Sequence, residues 1–291
     1  MYNTKVFETF EEIVAPLELL NEFYDENFYT EVNTIAKGDH LKMAVMDSGV
    51  DVYHPMLASR FCKGFDCYSM DDVTTIDKNG HGTFMTGLIS ARNLGLLKNA
   101  ELYPVKVCDT EGRITLEMLV NGIQWCIDND IHVIVLAVTT KNDYPTFKKK
   151  IKEAVNKGIV IVCSACNDNK EIGYPAKYEE TITVSGITYE GERPDFSING
   201  VEVDMNLPSV DIPSTYYYNR FALSSGNSAA TAIGACFVGM MQDLALRQLG
   251  CALTTDQMRK VIQRSLIDIN GSLVPTFHYL KDLGYDMKNL R

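Results

Sequence analysis

Four short polar clusters carry residue types suited to acyl transfer by a hydroxyl nucleophile. They are Asp47-Ser48-Gly49, Asn79-Gly80-His81-Gly82-Thr83, Ser164-Ala165-Cys166-Asn167 and Ser225-Gly226-Asn227-Ser228-Ala229-Ala230. A serine attacks a carbonyl when a base takes its proton, an acid orients that base, and donors meet the oxyanion that forms. Ser228, His81, Asp47 and Asn167 supply one residue for each of those tasks. Singly the clusters say little. Asp-Ser-Gly is usually a turn, His-Gly a cap region, and Gly-x-Ser-Ala-Ala an N-cap followed by a small-residue packing face. Asn167 alone reads as a loop residue. The combination and its chain order are what is specific.

Each cluster follows or opens a periodic segment. Residues 41–46 form a short apolar run that stops at Asp47-Ser48-Gly49, a buried strand entering a turn. His81 begins a helical pattern that extends to about residue 93, with small residues where another element could approach. Residues 100–107 read as a strand and 116–129 as a helix. The almost continuous apolar run 132–138 suits a central parallel strand covered on both faces. A Lys-rich helix over 147–156 stops at Gly158, and strands follow over 158–163 and 181–187. A long helix runs from Ser228 to about residue 249. Thr254-Thr255-Asp256-Gln257 has the form of a helix start for 258–266. Strands alternating with helices predict an α/β fold: a doubly wound, mostly parallel sheet with helices on both faces. Ligands on such sheets sit beyond the carboxyl ends of the strands, where three of the four clusters fall. Internal repeats and Pro/Gly/Ser linkers are lacking, so one main domain is expected, with the acidic, aromatic residues 1–40 docked on it and broken at Pro16.

Composition narrows the partners. The 291 residues are 46% hydrophobic and 22% charged, ordinary for a soluble globular chain. The net charge of −11, from 38 acidic against 27 basic residues, repels phosphate backbones and speaks against nucleic acid. Residues 1–12 lack a basic segment followed by an apolar one. No run of about eighteen apolar residues occurs, so no membrane partner is expected. Of the eight cysteines, Cys108, Cys126, Cys163 and Cys236 lie in apolar segments and read as reduced core thiols of a cytoplasmic protein. Cys163 and Cys166 have redox or zinc spacing. They follow a strand and lack a second pair, so neither a metal nor a cofactor is expected.

In the order Asp47, His81, Asn167, Ser228 the sequence resembles the subtilase family of serine proteases over residues 41–268, and is most similar in look to intracellular subtilisins. Further similar stretches are Leu102-Tyr103-Pro104-Val105-Lys106-Val107, Asn121-Gly122-Ile123-Gln124-Trp125-Cys126, Tyr174-Pro175-Ala176-Lys177-Tyr178 and Thr181-Ile182-Thr183-Val184-Ser185. The resemblance implies a catalytic domain over 41–291 after an extension over 1–40, and a cis Tyr174–Pro175 peptide. Ser228 would be the nucleophile, His81 the general base and acid, Asp47 its orienting carboxylate, and the Asn167 amide an oxyanion donor. It also implies a peptide or protein substrate, a cytoplasmic location and a homodimer. The cleft residues would be Ala137, Val138 and Thr139, Gly112 and Arg113, and Ala165 and Cys166.

Departures from the family pattern sharpen these expectations. Ala229 stands for the usual Met after the nucleophile, Asn227 for a Thr before it, and Thr231 for a Pro. Phe84 and Met85 add bulk after His81. Thr139 replaces a cleft Gly, and Arg113 in Gly112-Arg113-Ile114 stands where the family's edge strand starts with small residues, so it would approach the outer subsites. Both favour a narrow, processing-type specificity. Met56 after His54-Pro55, and a short segment between His81 and Leu102, imply that the family's calcium site is lacking. Two other readings share these residues: a peptide macrocyclase or transpeptidase, and a catalytically impaired peptide-binding scaffold. Phe7, Phe10, Phe23, Tyr24, Phe28 and Tyr29 give the extension apolar anchors, with which it would either cover the cleft or pack on the core.

Overall fold

Short apolar runs build the centre of the structure, a computed structural model that describes residues 3–27, 29–57, 61, 63–71, 75–109, 111–167, 171–198, 200–282 and 284–290. Near the N-terminus lie β1 (Asn3–Phe7), α1 (Val14–Glu26) and α2 (Tyr29–Asn33). The body begins with β2 (Lys42–Asp47), β3 (Phe65–Asp66), α3 (His81–Ser90), β4 (Glu101–Lys106), α4 (Leu116–Asp128), β5 (Val133–Leu136), α5 (Pro145–Asn156) and β6 (Val160–Ser164). It continues with β7 (Ile182–Ile187), β8 (Met205–Pro208), β9 (Ile212–Tyr216), β10 (Arg220–Ser225), α6 (Asn227–Leu249), α7 (Thr255–Ser265), β11 (Leu266–Ile269), β12 (Ser272–Pro275) and α8 (His278–Asp282).

Seven strands form one sheet in the order β3-β4-β2-β5-β6-β7-β8, and every pairing in it is parallel. Asp47 pairs with Lys106, and Leu136 with Cys163. The segments after β2, β5 and β6 therefore emerge at one carboxyl edge. The chain leaves β2 toward β4 and later returns to β5 on its other side, which opens a crevice between the two at that edge. The sheet is the doubly wound α/β arrangement that the alternating pattern predicts.

Both faces are covered. One buried cluster joins Phe84, Met85 and Leu88 of α3 to Ile233, Phe237 and Met240 of α6. The other joins Met118 and Ile123 of α4 to Phe147 and Ile151 of α5. Residues 227–245 of α6 are buried throughout. That helix is long and apolar enough to cross a membrane by length and composition, but 94% of the relevant window is covered by the fold itself. Its small residues have a packing reason: a Cβ on Gly234 would lie 2.9 Å from Met205 and Val184 side chains. Helix starts follow their local chemistry. Thr115 caps α4 through Met118 N–H, and Thr254 with Gln257 forms a reciprocal capping box on α7.

The N-terminal segment packs on this body. β1 adds to β10 antiparallel, and Asn3 pairs with Ser225. Leu17, Leu20, Phe23, Tyr24 and Tyr29 are buried, and Tyr29 donates to Pro275 O at 3.1 Å. Phe7 and Phe10 pack against a cluster containing Ile13, Leu17 and Phe221; Phe28 lies outside the described residues. Pro16 does not break the segment. It sits in the first turn of α1, where its missing N–H needs no intrahelical acceptor. The described cysteines are free thiols, and the Tyr174–Pro175 peptide is cis.

Candidate active site

Asp47 ends β2 and His81 is the first residue of α3. Both Asp47 carboxylate oxygens lie 2.8 Å from His81 Nδ1, so Nδ1 carries the donated proton and Nε2 is left as the basic nitrogen. Ser48 N–H donates to Asp47 Oδ1 at 2.7 Å. Burial opposes the charge on Asp47. The positive field and hydrogen bond of His81, with the Ser48 N–H, outweigh it and hold the carboxyl below its usual range. The close approach needs Gly82, because a Cβ there would sit 2.0 Å from the Gly49 carbonyl oxygen.

A residue that the sequence clusters did not single out supports this pair. Asp77 is buried. Its Oδ1 accepts from Ser48 Oγ at 2.9 Å and from the Asn79 and Gly80 N–H groups at 2.8 Å each. Its Oδ2 accepts from Thr83 N–H at 2.9 Å and Thr83 Oγ1 at 2.6 Å. Gly80, the N-cap of α3, has no side chain to satisfy the first-turn donors, and Asp77 does so from three residues upstream. An acid just before Asn79-Gly80-His81 was the available signal.

Ser228 is the second residue of α6 and is 3% exposed. The preceding residue links it to Asn167: Asn227 N–H donates to Asn167 Oδ1 at 2.8 Å. That bond fixes the amide orientation and leaves Nδ2 as the donor available to a ligand. The first-turn N–H groups and the positive end of α6 are at the same place, where negative charge is favoured. The structure thus joins the four residues as two linked pairs, Asp47 with His81 and Asn167 with the start of α6. Among the described residues no hydrogen bond joins Ser228 Oγ to His81; such contacts commonly tighten only when substrate binds.

A cleft of about 280 Å³ lies beside His81, lined by Asp47, Ser48, Asn79, Cys108, Gly112, Ile114, Ala137 and Val138. Gly112, Ala137 and Val138 are therefore at this cleft. Ile114, exposed and apolar, joins them. Arg113 points its guanidinium to Asp109 at 2.8 Å and Glu111 at 2.7 Å, and is 69% exposed. Thr139 is half-buried, with Oγ1 3.6 Å from Cys166 Sγ. Cys166 itself is half-buried, with φ +127°. Ala165 is a core residue whose N–H and carbonyl are taken by Val184 and Gly173. Phe84 and Met85 lie fully in the core. Burial, then the Asp47 charge, pushes the Cys108 thiol up to about 11, so near neutral pH it is no rival nucleophile. Burial also raises Cys163. Among the described residues no three His, Cys, Asp or Glu side chains gather as a metal site. A wider hollow of about 470 Å³ at Tyr178, Asp204 and Arg259 has no histidine among its described lining residues, and Arg259 is engaged by Asp204, Glu179 O and Thr181 O.

The pattern of the Subtilase family, Peptidase_S8, matches residues 38–287. A thermostable alkaline protease of Halalkalibacterium halodurans is 35% identical over 200 residues, 67% of this chain and 54% of that protein. Subtilisin E of Bacillus subtilis is 35% identical over 204 residues, 67% and 53% of the two chains. An intracellular serine protease of Paenibacillus polymyxa is 30% identical over 250 residues, covering 81% of this chain and 77% of that one. The chain spans about half the length of the first two relatives. Among solved structures, a cold-adapted subtilisin-like serine proteinase superposes with a TM-score of 0.72 at 25% identity, over 82% of this chain and 89% of the other.

Proposed function

This chain belongs to the subtilase family of serine proteases, and from that premise we propose that it is an endopeptidase that cleaves peptide bonds through Ser228, His81 and Asp47. The observation that carries the reading is the Asp47–His81 pair, in which both carboxylate oxygens lie 2.8 Å from Nδ1, with Asn167 fixed beside the helix start that bears Ser228.

In this mechanism Ser228 Oγ attacks the scissile carbonyl as His81 Nε2 takes its proton. Asn167 Nδ2 and the Ser228 N–H stabilise the oxyanion; loss of one such donor in subtilisin lowers turnover by roughly 10²–10³. The C–N bond then breaks and His81 protonates the leaving amine. Water, deprotonated by His81, hydrolyses the acyl-enzyme and frees Ser228. Asp47 remains ionised throughout and stabilises the imidazolium.

Ile114 lines the cleft and Thr139 packs beside Cys166; with these side chains in place of smaller ones, the reading extends to a processing protease with restricted specificity. A cytoplasmic setting is the companion reading, supported by the likeness to an intracellular serine protease and by free buried thiols. A fluorescent fluorophosphonate tests the nucleophile. Labelling of the native protein that vanishes in Ser228→Ala supports the peptidase reading; native protein that never labels sinks it. Mass spectrometry of products then separates hydrolysed from cyclised or transpeptidated ends.

A further inference from the structure

Asn227 is fully buried, and its N–H and both polar atoms of its side chain are directed at the loop beside the nucleophile or at the strand behind it. Its N–H donates to Asn167 Oδ1 at 2.8 Å. Its side-chain Nδ2 donates to the Cys166 carbonyl. Its Oδ1 accepts from Gly186 N–H of β7 at 2.8 Å, and its carbonyl accepts from Thr231 Oγ1 at 2.7 Å. One side chain thus ties β7, the start of α6 and the 166–167 loop together.

The loop needs a tie. Cys166 has φ +127°, a region that suits glycine and that a residue with a Cβ occupies only when its surroundings hold it there. Cys166 immediately precedes Asn167, so relaxation of that dihedral would swing the amide away from the nucleophile. Gly186 is shaped to receive the tie, since a Cβ on it would lie 2.6 Å from Asn227 Oδ1. We propose that Asn227 is a positioning residue for the oxyanion site: its side chain clamps Cys166 in the left-handed region and so holds the Asn167 amide on target. The proposal rests on the peptidase reading for its rate effect and on the clamp geometry alone for its structural effect.

The test is a kinetic cycle on a peptide substrate with a structural arm beside it. In Asn227→Ala, kcat should fall by about 10- to 100-fold while KM stays within about twofold, a loss no larger than that of an oxyanion donor itself. In an Asn167→Ala background the same substitution should change kcat by less than about threefold, because its effect passes through Asn167. Adding Cys166→Gly to Asn227→Ala should recover most of the rate, since glycine adopts this dihedral without a clamp. Asn227→Asp keeps the acceptor for Gly186 and loses the donor to Cys166, and serves if the alanine variant does not fold. Alkylation of Cys166, followed by peptide mass mapping, should be several-fold faster in either Asn227 variant than in the native protein. Full multiplication of the Asn167 and Asn227 losses, or an unchanged Cys166 alkylation rate, overturns the clamp. A native protein without Ser228-dependent turnover overturns the peptidase reading instead, and the alkylation arm still decides the clamp.

Discussion

The Asp77 carboxylate accepts both the amide and the hydroxyl of Thr83, at 2.9 and 2.6 Å, and so sets the direction in which α3 leaves His81. The same carboxylate holds the hydroxyl of Ser48, the neighbour of Asp47. The two halves of the acid–base pair are thereby fixed by one buried group. Asp77→Ala should destabilise the fold by about 2–3 kcal/mol, the range for losing charge-assisted hydrogen bonds together with a helix-start acceptor. Urea unfolding measures this, and a change below experimental error would remove Asp77 from the account.

Thr139 touches the loop that carries Asn167. Its Oγ1 is 3.6 Å from Cys166 Sγ, and its Cβ would be 3.1 Å from a Cβ placed on Gly173. Thr139→Gly should raise kcat/KM for substrates with a bulky residue before the scissile bond by about tenfold, the scale of a methylene or two in a pocket. Substrates with alanine there should gain little. Equal gains for both would mean that Thr139 does not shape the pocket.

Stability should fall in two windows as pH drops. His54 is buried, with Nε2 3.0 Å from Arg220 O and Nδ1 accepting from Met56 N–H. Burial lowers its pKa below 6.5, against the Arg220 carbonyl and Asp51, which raise it. The unfolded chain therefore takes up this proton first. The contribution of His54 is complete above about 6.5 and is lost between that value and the lower folded one. Burial, then Lys42, lowers His132 in the same sense, against Glu101 and Asp130. Asp47 acts further down: its contribution is complete above about 3.9 and is lost as pH falls through its depressed folded value. Urea midpoints between about pH 3 and 8 should show the upper window shrinking in His54→Asn and the lower one in Asp47→Asn. Unchanged windows in these variants would refute the assignments.

The N-terminal residues are expected to act as part of the core. Removing residues 1–30 deletes β1 from the edge of β10 and takes Leu17, Leu20, Phe23, Tyr24 and Tyr29 out of their buried positions. Burial of one such side chain is worth about 1.5–3 kcal/mol, so the truncated chain should unfold well below the native melting temperature. A truncated protein of native melting temperature and raised activity would instead make the segment a removable cover.

Much of the site was legible because its residues lie where local patterns change. Apolar runs end at Asp47 and near Asn167, and helical spacing begins at His81 and Ser228, so the strand and helix ends are visible before any packing is known. The hairpin β11–β12 carried a signal as well: Asn270-Gly271, with φ of 50° and 81°, suits a tight two-residue turn. The strands β8, β9 and β10 gave less: β8 is four residues ending in Pro, β9 mixes Pro, Ser, Thr and Tyr, and β10 mixes Arg and two Ser with its apolar residues. Their pairing is decided by partners distant in sequence, as when Asn3 finds Ser225.

The sequence by itself determined the alternation of strands and helices, the order of Asp47, His81, Asn167 and Ser228, and the family to which that order points. The alternation follows from periodicity and residue type, which are local properties, and the family is a resemblance carried by the order of those four residues. Only the tertiary structure decided that Asp77 braces the histidine helix, that Arg113 pairs with Asp109 and Glu111, that Ala165 is core, and that Asn227 binds Gly186, 41 residues away. The Arg113 pairs join near neighbours within one loop and depend on how that loop turns; the others depend on which distant segment passes nearby, and loop residues carry no periodic signal that announces either.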